Sequence, residues 1–198
     1  SFGRASTIDR IKTKSLISGL VSAFGPHECK VYLLHGDLTE NQIHSLYAND
    51  NIKAYYTTTH GEGYGLPIFE AAYSGMPVVA TDWSAHVEFL TSTDKNNKEK
   101  KFFAAIKSDV KQVQEAAVWE NIITQDSKWA FTRTSSVKTE LRKMYKNYSM
   151  YRSWAKRLKK NISSTHNKKD VLLKMNKAIF EGLTRNISKP EEEVVVFK

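Results

Sequence analysis

Glu62 and Glu70 stand eight positions apart in HGEGYGLPIFEAAYSGMPVVATD, residues 60–82, around a bend that holds Gly61, Gly63 and Gly65. Glycines carry no Cβ, so their backbone can come close to a ligand. A helix opening near Pro67 aims its unpaired N–H groups and the positive end of its dipole at the same spot, which suits a phosphate. Carboxylates belong beside a phosphate when the ligand also carries hydroxyls, because they accept hydrogen bonds from sugar hydroxyls. A nucleotide sugar supplies both: a diphosphate for the amides, and ribose and hexose hydroxyls for the acids. Glu62 falls in the loop and Glu70 about one turn into the helix. The two therefore reach different parts of an extended ligand and do not form a paired acid and base for hydrolysis.

The elements that must hold this bend can be read around it. Ile8, Ile11, Leu16, Leu20 and Phe24 give a helical stripe over Ile8–Phe24, stopped by Gly25-Pro26. CKVYLLHG, Cys29–Gly36, reads as a buried strand. Asp37–Asp50 reads as a helix with a Thr39/Gln42 capping box. KAYYTTTH, Lys53–His60, is rich in β-branched and aromatic residues and reads as the strand leading into the bend. Pro67–Ser74 is helical and ends at Gly75; PVVATD, 77–82, is a buried strand; Ala85–Leu90 is a short helix. TSTDKNNKEKK reads as a solvated loop and KFFAAIK as a last strand. Strands that are apolar throughout and alternate with helices predict an α/β fold: a parallel sheet with helices on both faces. Three helices follow, over Val137–Tyr148, Tyr151–Ile162 and Lys168–Leu183, and EEEVVVFK at the end reads as a short strand or disordered. The expected domains are a core over 1–132, a basic helical extension packed on it over 133–189, and a tail over 190–198.

The chain has 198 residues, 40% hydrophobic and 26% charged, a globular composition with length enough for one core. No apolar run approaches the roughly 18 residues of a membrane span, and no signal-peptide pattern is present. The single Cys29 excludes an internal disulfide framework and reads as a core thiol. Sequons at Asn147, Asn161 and Asn186 count only for a secreted chain. The net charge of +9 is concentrated: residues 133–189 carry 16 lysines and arginines against 3 acids. Such a segment suits nucleic acid or an anionic membrane surface, the alternative function class. No zinc spacing, RNA-binding signature or helix-turn-helix pattern supports sequence reading, so nucleic acid is not favoured. An opening at Ser1, on SFGRAS, predicts that the sequence begins inside a larger protein.

The spacing Glu62-x7-Glu70 within EGYGLPIFEAAYSGMPVVATD resembles the signature of group-1 retaining glycosyltransferases, whose GT-B fold joins two Rossmann-like halves. WSAHVEFL looks like the small helix after the family's next strand. HGDLTENQIHSLY looks like the strand and helix before the motif, and VWENI with SKWAFTRTSSVKTELRKMY is similar to its returning tail. Roughly residues 29–185 are covered. The resemblance implies a Rossmann-like donor-binding half of a GT-B enzyme, short at its start, followed by C-terminal helices. It implies transfer of a hexose from a nucleotide-diphosphate sugar, with retention, to a glycan or lipid-linked acceptor. Glu62 would be the catalytic-centre acid that holds the donor sugar. Gly61, Gly63, Tyr64, Gly65 and Leu66 would present backbone to the diphosphate and sugar. Glu70 would grip the ribose, Gly36 and Leu38 would line the base, and Arg4 would touch the donor. Lys12 or Lys14 are further candidates for the diphosphate. No metal or cofactor is implied.

The N-terminal acceptor domain would be a missing partner, and a nucleotide-sugar donor places the enzyme in the cytoplasm. A peripheral membrane contact would be compatible with a lipid-linked acceptor. A non-catalytic nucleotide-sugar-binding module is a further alternative. The family favours a Gly-Gly-like turn where Trp83-Ser84-Ala85 stands. His60 reads as structural, His86 as a weaker donor contact, and Trp129, Trp154 and Tyr151 as packing.

Overall fold

The structure, a computed structural model, describes residues 6–94 and 96–187. Arg4 and the EEEVVVFK tail lie outside the described residues. The chain divides into two compact units, Ser1–Leu46 and Tyr47–Lys198. The boundary between the two units lies within the expected 1–132 stretch.

In the first unit, α1 (Thr7–Ala23) starts at the N-cap Ser6, whose hydroxyl accepts from the Asp9 N–H at 3.1 Å. It ends before Gly25, which has φ +72°. Its apolar stripe is exposed from Ile8 to Phe24. Cys29–Gly36 is not a strand, and Val31, Tyr32, Leu33 and Leu34 are exposed. A strand needs a neighbour to take its N–H and C=O groups, and this unit holds none among the described residues. Cys29 is accordingly exposed and not a core thiol. The capping box forms as read: the Thr39 N–H donates to Gln42 Oε1 at 2.9 Å, and the Gln42 N–H to Thr39 Oγ1 at 3.3 Å. It opens α2 (Glu40–Ala48).

The second unit is mixed α/β. Its elements run β1 (Tyr55–Tyr56), α3 (Leu66–Ser74), β2 (Val78–Thr81), α4 (His86–Phe89), β3 (Thr91–Thr93), β4 (Glu99–Lys101), β5 (Ala104–Ile106), β6 (Ser108–Gln112), β7 (Lys128–Thr132), α5 (Thr134–Lys146), α6 (Tyr148–Thr165) and α7 (Lys168–Ile187). A parallel sheet of order β1-β2-β5 is the centre, with Tyr55 opposite Val78 and Val79 opposite Ala104. Every residue of β2 is buried, as a strand paired on both edges and covered on both faces requires. Val78 and Ala80 pack with Ile68, Ala71 and Ala72 of α3 and with Leu158 and Ile162 of α6. Val79 points the other way, into Ala104, Ile106, Met144 of α5 and Tyr151 of α6. The buried face of α6, Tyr151, Ala155, Leu158 and Ile162, keeps the spacing of one helical stripe. Trp154 packs edge-on against Phe102 and Tyr151.

Two antiparallel ribbons were not expected. TSTDKNNKEKK is not a free loop: β3 pairs with β4, Thr91 opposite Lys101 and Thr93 opposite Glu99. Asp94 closes the turn by accepting from the N–H groups of Asn96 at 2.7 Å and Lys98 at 3.0 Å. Those two bonds, Lys98 first, hold its carboxyl below the usual range. The second ribbon, β6–β7, runs on from β5, with Ser108 opposite Thr132 and Gln112 opposite Lys128. Arg133 pairs with Asp109 across its base. No helix among the described residues is long and apolar enough to cross a membrane.

Candidate functional site

The glycine bend leaves the carboxyl end of β1, the edge where parallel sheets bind ligands. Thr57 makes one more ladder bond, N–H to the Val79 carbonyl at 3.0 Å, and the chain then turns away from the sheet. Three ties hold the bend. The Thr81 hydroxyl donates to the Thr59 carbonyl at 3.0 Å. The His60 carbonyl accepts from the Ala130 N–H at 3.1 Å, and His60 Nδ1 donates to the Ala130 carbonyl at 2.8 Å, since that oxygen can only accept. The His60 ring stacks on Trp129 with centroids 5.2 Å apart. Ser84 Oγ accepts from the Glu62 N–H at 2.9 Å and donates to the Glu62 carbonyl at 2.7 Å. The Glu62 backbone is thus clasped by the loop that leaves β2. Ser84 itself sits at φ +82°, a conformation that costs a non-glycine residue about 1 kcal/mol or more.

Gly65 is the N-cap of α3, at φ +85°, and no side chain caps this helix. A side chain here would crowd His86 Cβ and Ile68 Cδ1, each 3.3 Å from the position of a Cβ. The Gly65 carbonyl already accepts from the Phe69 N–H at 2.9 Å. The helix start leaves the N–H groups of Leu66 and Ile68 without a side-chain partner, Pro67 having none; Leu66 is exposed and Ile68 is buried, so only the first is open to a ligand. At the other end Gly75, φ +84°, closes α3, and the Met76 N–H reaches back to the Ala71 carbonyl at 3.0 Å.

Glu62 is half-buried and Glu70 exposed. Both act on one phenol: Tyr55 is pushed up from its ordinary pKa by burial first, then by Glu62 and by Glu70. Tyr47, whose ring meets Tyr55 edge-on at 6.2 Å, is pushed up by burial, then by Glu70. Both carboxylates thus lie near enough to Tyr55 to hold its phenol protonated to higher pH. Tyr64 is a buttress, packed against Phe69 at 5.6 Å and Phe89 at 5.4 Å. His86 is fully buried, its Nε2 donating to the Thr81 carbonyl at 2.7 Å, so it is no ligand contact. The Lys101 ammonium, paired with Asp82 at 2.5 Å just past β2, is a cation at this edge. Tyr55, Ser84 and Lys101 were missed in the sequence. Nothing in the types Ser or Tyr marks a positive φ or a shared carboxylate environment.

Of the other expected contacts, Gly36 (φ +138°) and Leu38 belong to the first unit and Arg4 is not described. Lys12 and Lys14 lie on α1. Among the described residues no three His, Cys, Asp or Glu side chains gather as metal ligands would. The basic character of α6 has a local explanation at the opposite, amino end of the sheet. A cavity of about 230 Å³ there is lined by Arg152, Lys156, Lys159, Asp50 and the last residues of α2 and α3. Cations at two helix C-termini answer the negative ends of their dipoles. No protein-family model, curated protein or solved structure matches the chain.

Proposed function

We propose that the glycine bend is the donor site of a retaining glycosyltransferase, on a Rossmann-like half of a GT-B fold. One observation carries this reading: the start of α3 has no side-chain cap, with Glu62 in the bend before it and Glu70 on the helix after it. The exposed Leu66 amide at the helix start would take the diphosphate. Glu70 would accept from the ribose hydroxyls and Glu62 from the hexose. Transfer would then proceed by front-face displacement with no metal, the leaving diphosphate stabilised by preorganised dipoles at the helix start. Gly61 and Gly63 keep the bend open to that approach. A hexose donor of this kind is cytoplasmic, and the acceptor would be a glycan or a lipid-linked sugar bound largely by another domain.

A ligand that binds only the folded chain stabilises it by about 2.7 kcal/mol at roughly a hundred times its Kd. Melting the chain with UDP-, GDP- and ADP-sugars should therefore raise Tm for at least one of them, while duplex DNA leaves it unchanged. A salt-dependent rise with DNA and none with any nucleotide would favour the nucleic-acid alternative. A rise with nucleotide sugars, without transfer or hydrolysis in the presence of glycan or lipid-linked acceptors, would leave a binding module.

A further inference from the structure

The cavity at the amino end of the sheet gathers more positive charge than the fold consumes. Arg152, Lys156 and Lys159 fall on one side of α6, and all three line its space of about 230 Å³. Lys53 adds a fourth cation at the edge. Its Nζ donates to the Asp50 carbonyl at 2.6 Å and lies 5.9 Å from the centre of the Tyr148 ring, and Asp50 and Tyr148 both line the cavity. Every lining residue belongs to the second unit.

The charge balance decides the ligand. Asp50 is the acid among the lining residues. It meets Arg152 at 3.5 Å, but its carboxylate is 90% exposed, so water weakens the pair. No ion pair among the described residues holds Lys156 or Lys159. The ends of α2 and α3 contribute about half a negative charge each. The Ala71 and Ala72 carbonyls of α3 are already taken by the Met76 and Gly75 N–H groups. Four cations against one carboxylate and two helix ends leave about two positive charges over. A cleft edged by one sign of charge draws in the other. The Lys159 stem is seated, its Cδ 3.2 Å from where a Cβ on Gly75 would stand.

The ligand that answers this is a small dianion. The space is below the roughly 300 Å³ at which pockets for drug-sized ligands begin. A phosphomonoester brings nearly two negative charges at neutral pH and three acceptor oxygens, which suit the fork of an arginine and the point charges of two lysines. We propose that this cavity binds a small phosphomonoester, its phosphate on Arg152, Lys156 and Lys159 and its polar remainder toward Asn49 and Tyr148. The site is independent of the donor site.

Calorimetric titration of the full chain with glycerol 3-phosphate, at fixed ionic strength, tests it. Binding should be about tenfold weaker at pH 5 than at pH 7.5, because the monoester takes up its second proton near pH 6. No histidine lines the cavity, so the ligand's own proton carries that change. A Lys156→Gln/Lys159→Gln variant should lose at least about tenfold in affinity. Both lysines are exposed, so its Tm should not fall. In proton–nitrogen spectra the Asn49, Gly75 and Met76 amides should shift while the Leu66 amide stays. The proposal is overturned by no binding, by unchanged affinity in the Lys156→Gln/Lys159→Gln variant, or by shifts at Leu66 in place of the cavity. Sulfate bound as tightly at pH 7.5 would mean an adventitious ion only, and duplex DNA bound more tightly than the monoester would mean a polymer surface; either result also overturns it.

Discussion

Gly65→Val should lower stability by about 3 kcal/mol, roughly 10 °C in Tm, and abolish nucleotide-sugar binding. Two costs add. At φ +85° a β-branched residue is held in a backbone region that it strongly avoids. Its Cβ would also press on His86 Cβ and Ile68 Cδ1 at 3.3 Å. Neither neighbour yields easily, since His86 is pinned to the Thr81 carbonyl and both side chains are almost completely buried. Relief would have to come from the bend, which would move Glu62 and the first amides of α3 together. Gly65→Ala, with less bulk, should show the same pattern at smaller amplitude. Melting curves and a nucleotide titration check both variants; a Gly65→Val chain with unchanged Tm would mean that the bend is looser than described.

Glu70→Ala should act on binding and leave the fold alone. Glu70 is exposed on α3, so the melting curve should barely move. A hydrogen bond to a charged group contributes about 1.5–3 kcal/mol, so affinity for a nucleoside diphosphate should fall about tenfold to a hundredfold. Inorganic pyrophosphate has no ribose, and its affinity should not fall. Calorimetric titration of both ligands separates the ribose role from a general loss of site shape. Equal weakening of both would remove the assigned role of Glu70. Loss of this carboxylate should also let the Tyr47 and Tyr55 phenols titrate somewhat lower, although burial, the larger cause, remains.

Much of the second unit was legible because its signals are local. A Pro in the first turn and a Gly at the end bounded α3 to within one residue. The all-apolar run of β2 announced a strand covered on both faces. What failed depended on partners. Cys29–Gly36 has the composition of a buried strand, but composition cannot supply the neighbouring strand that burial needs. Lys53–His60 was expected as one long strand, yet β1 is Tyr55–Tyr56 alone, because the chain leaves the sheet to make the bend. β3 and β4 carry exposed polar residues like a loop, and their pairing rests on the backbone bonds that Asp94 accepts. In the second ribbon β6 is likewise mostly exposed and β7 mostly half-buried, and β6 leaves no periodic apolar trace. At the site the carboxylate spacing and the glycines stood out in the sequence. The Ser84 clasp did not, because a serine at φ +82° is fixed by the groups around it.

The central claim is that the Leu66 amide at the start of α3 receives a diphosphate between Glu62 and Glu70. Proton–nitrogen spectra recorded while a nucleoside diphosphate is added address it residue by residue. The Leu66 amide should shift most, with Gly61, Gly63 and Gly65 following, and its exchange with solvent should slow. Shifts confined to the Arg152–Lys159 face of α6 or to α7, with the Leu66 amide unmoved, would contradict it.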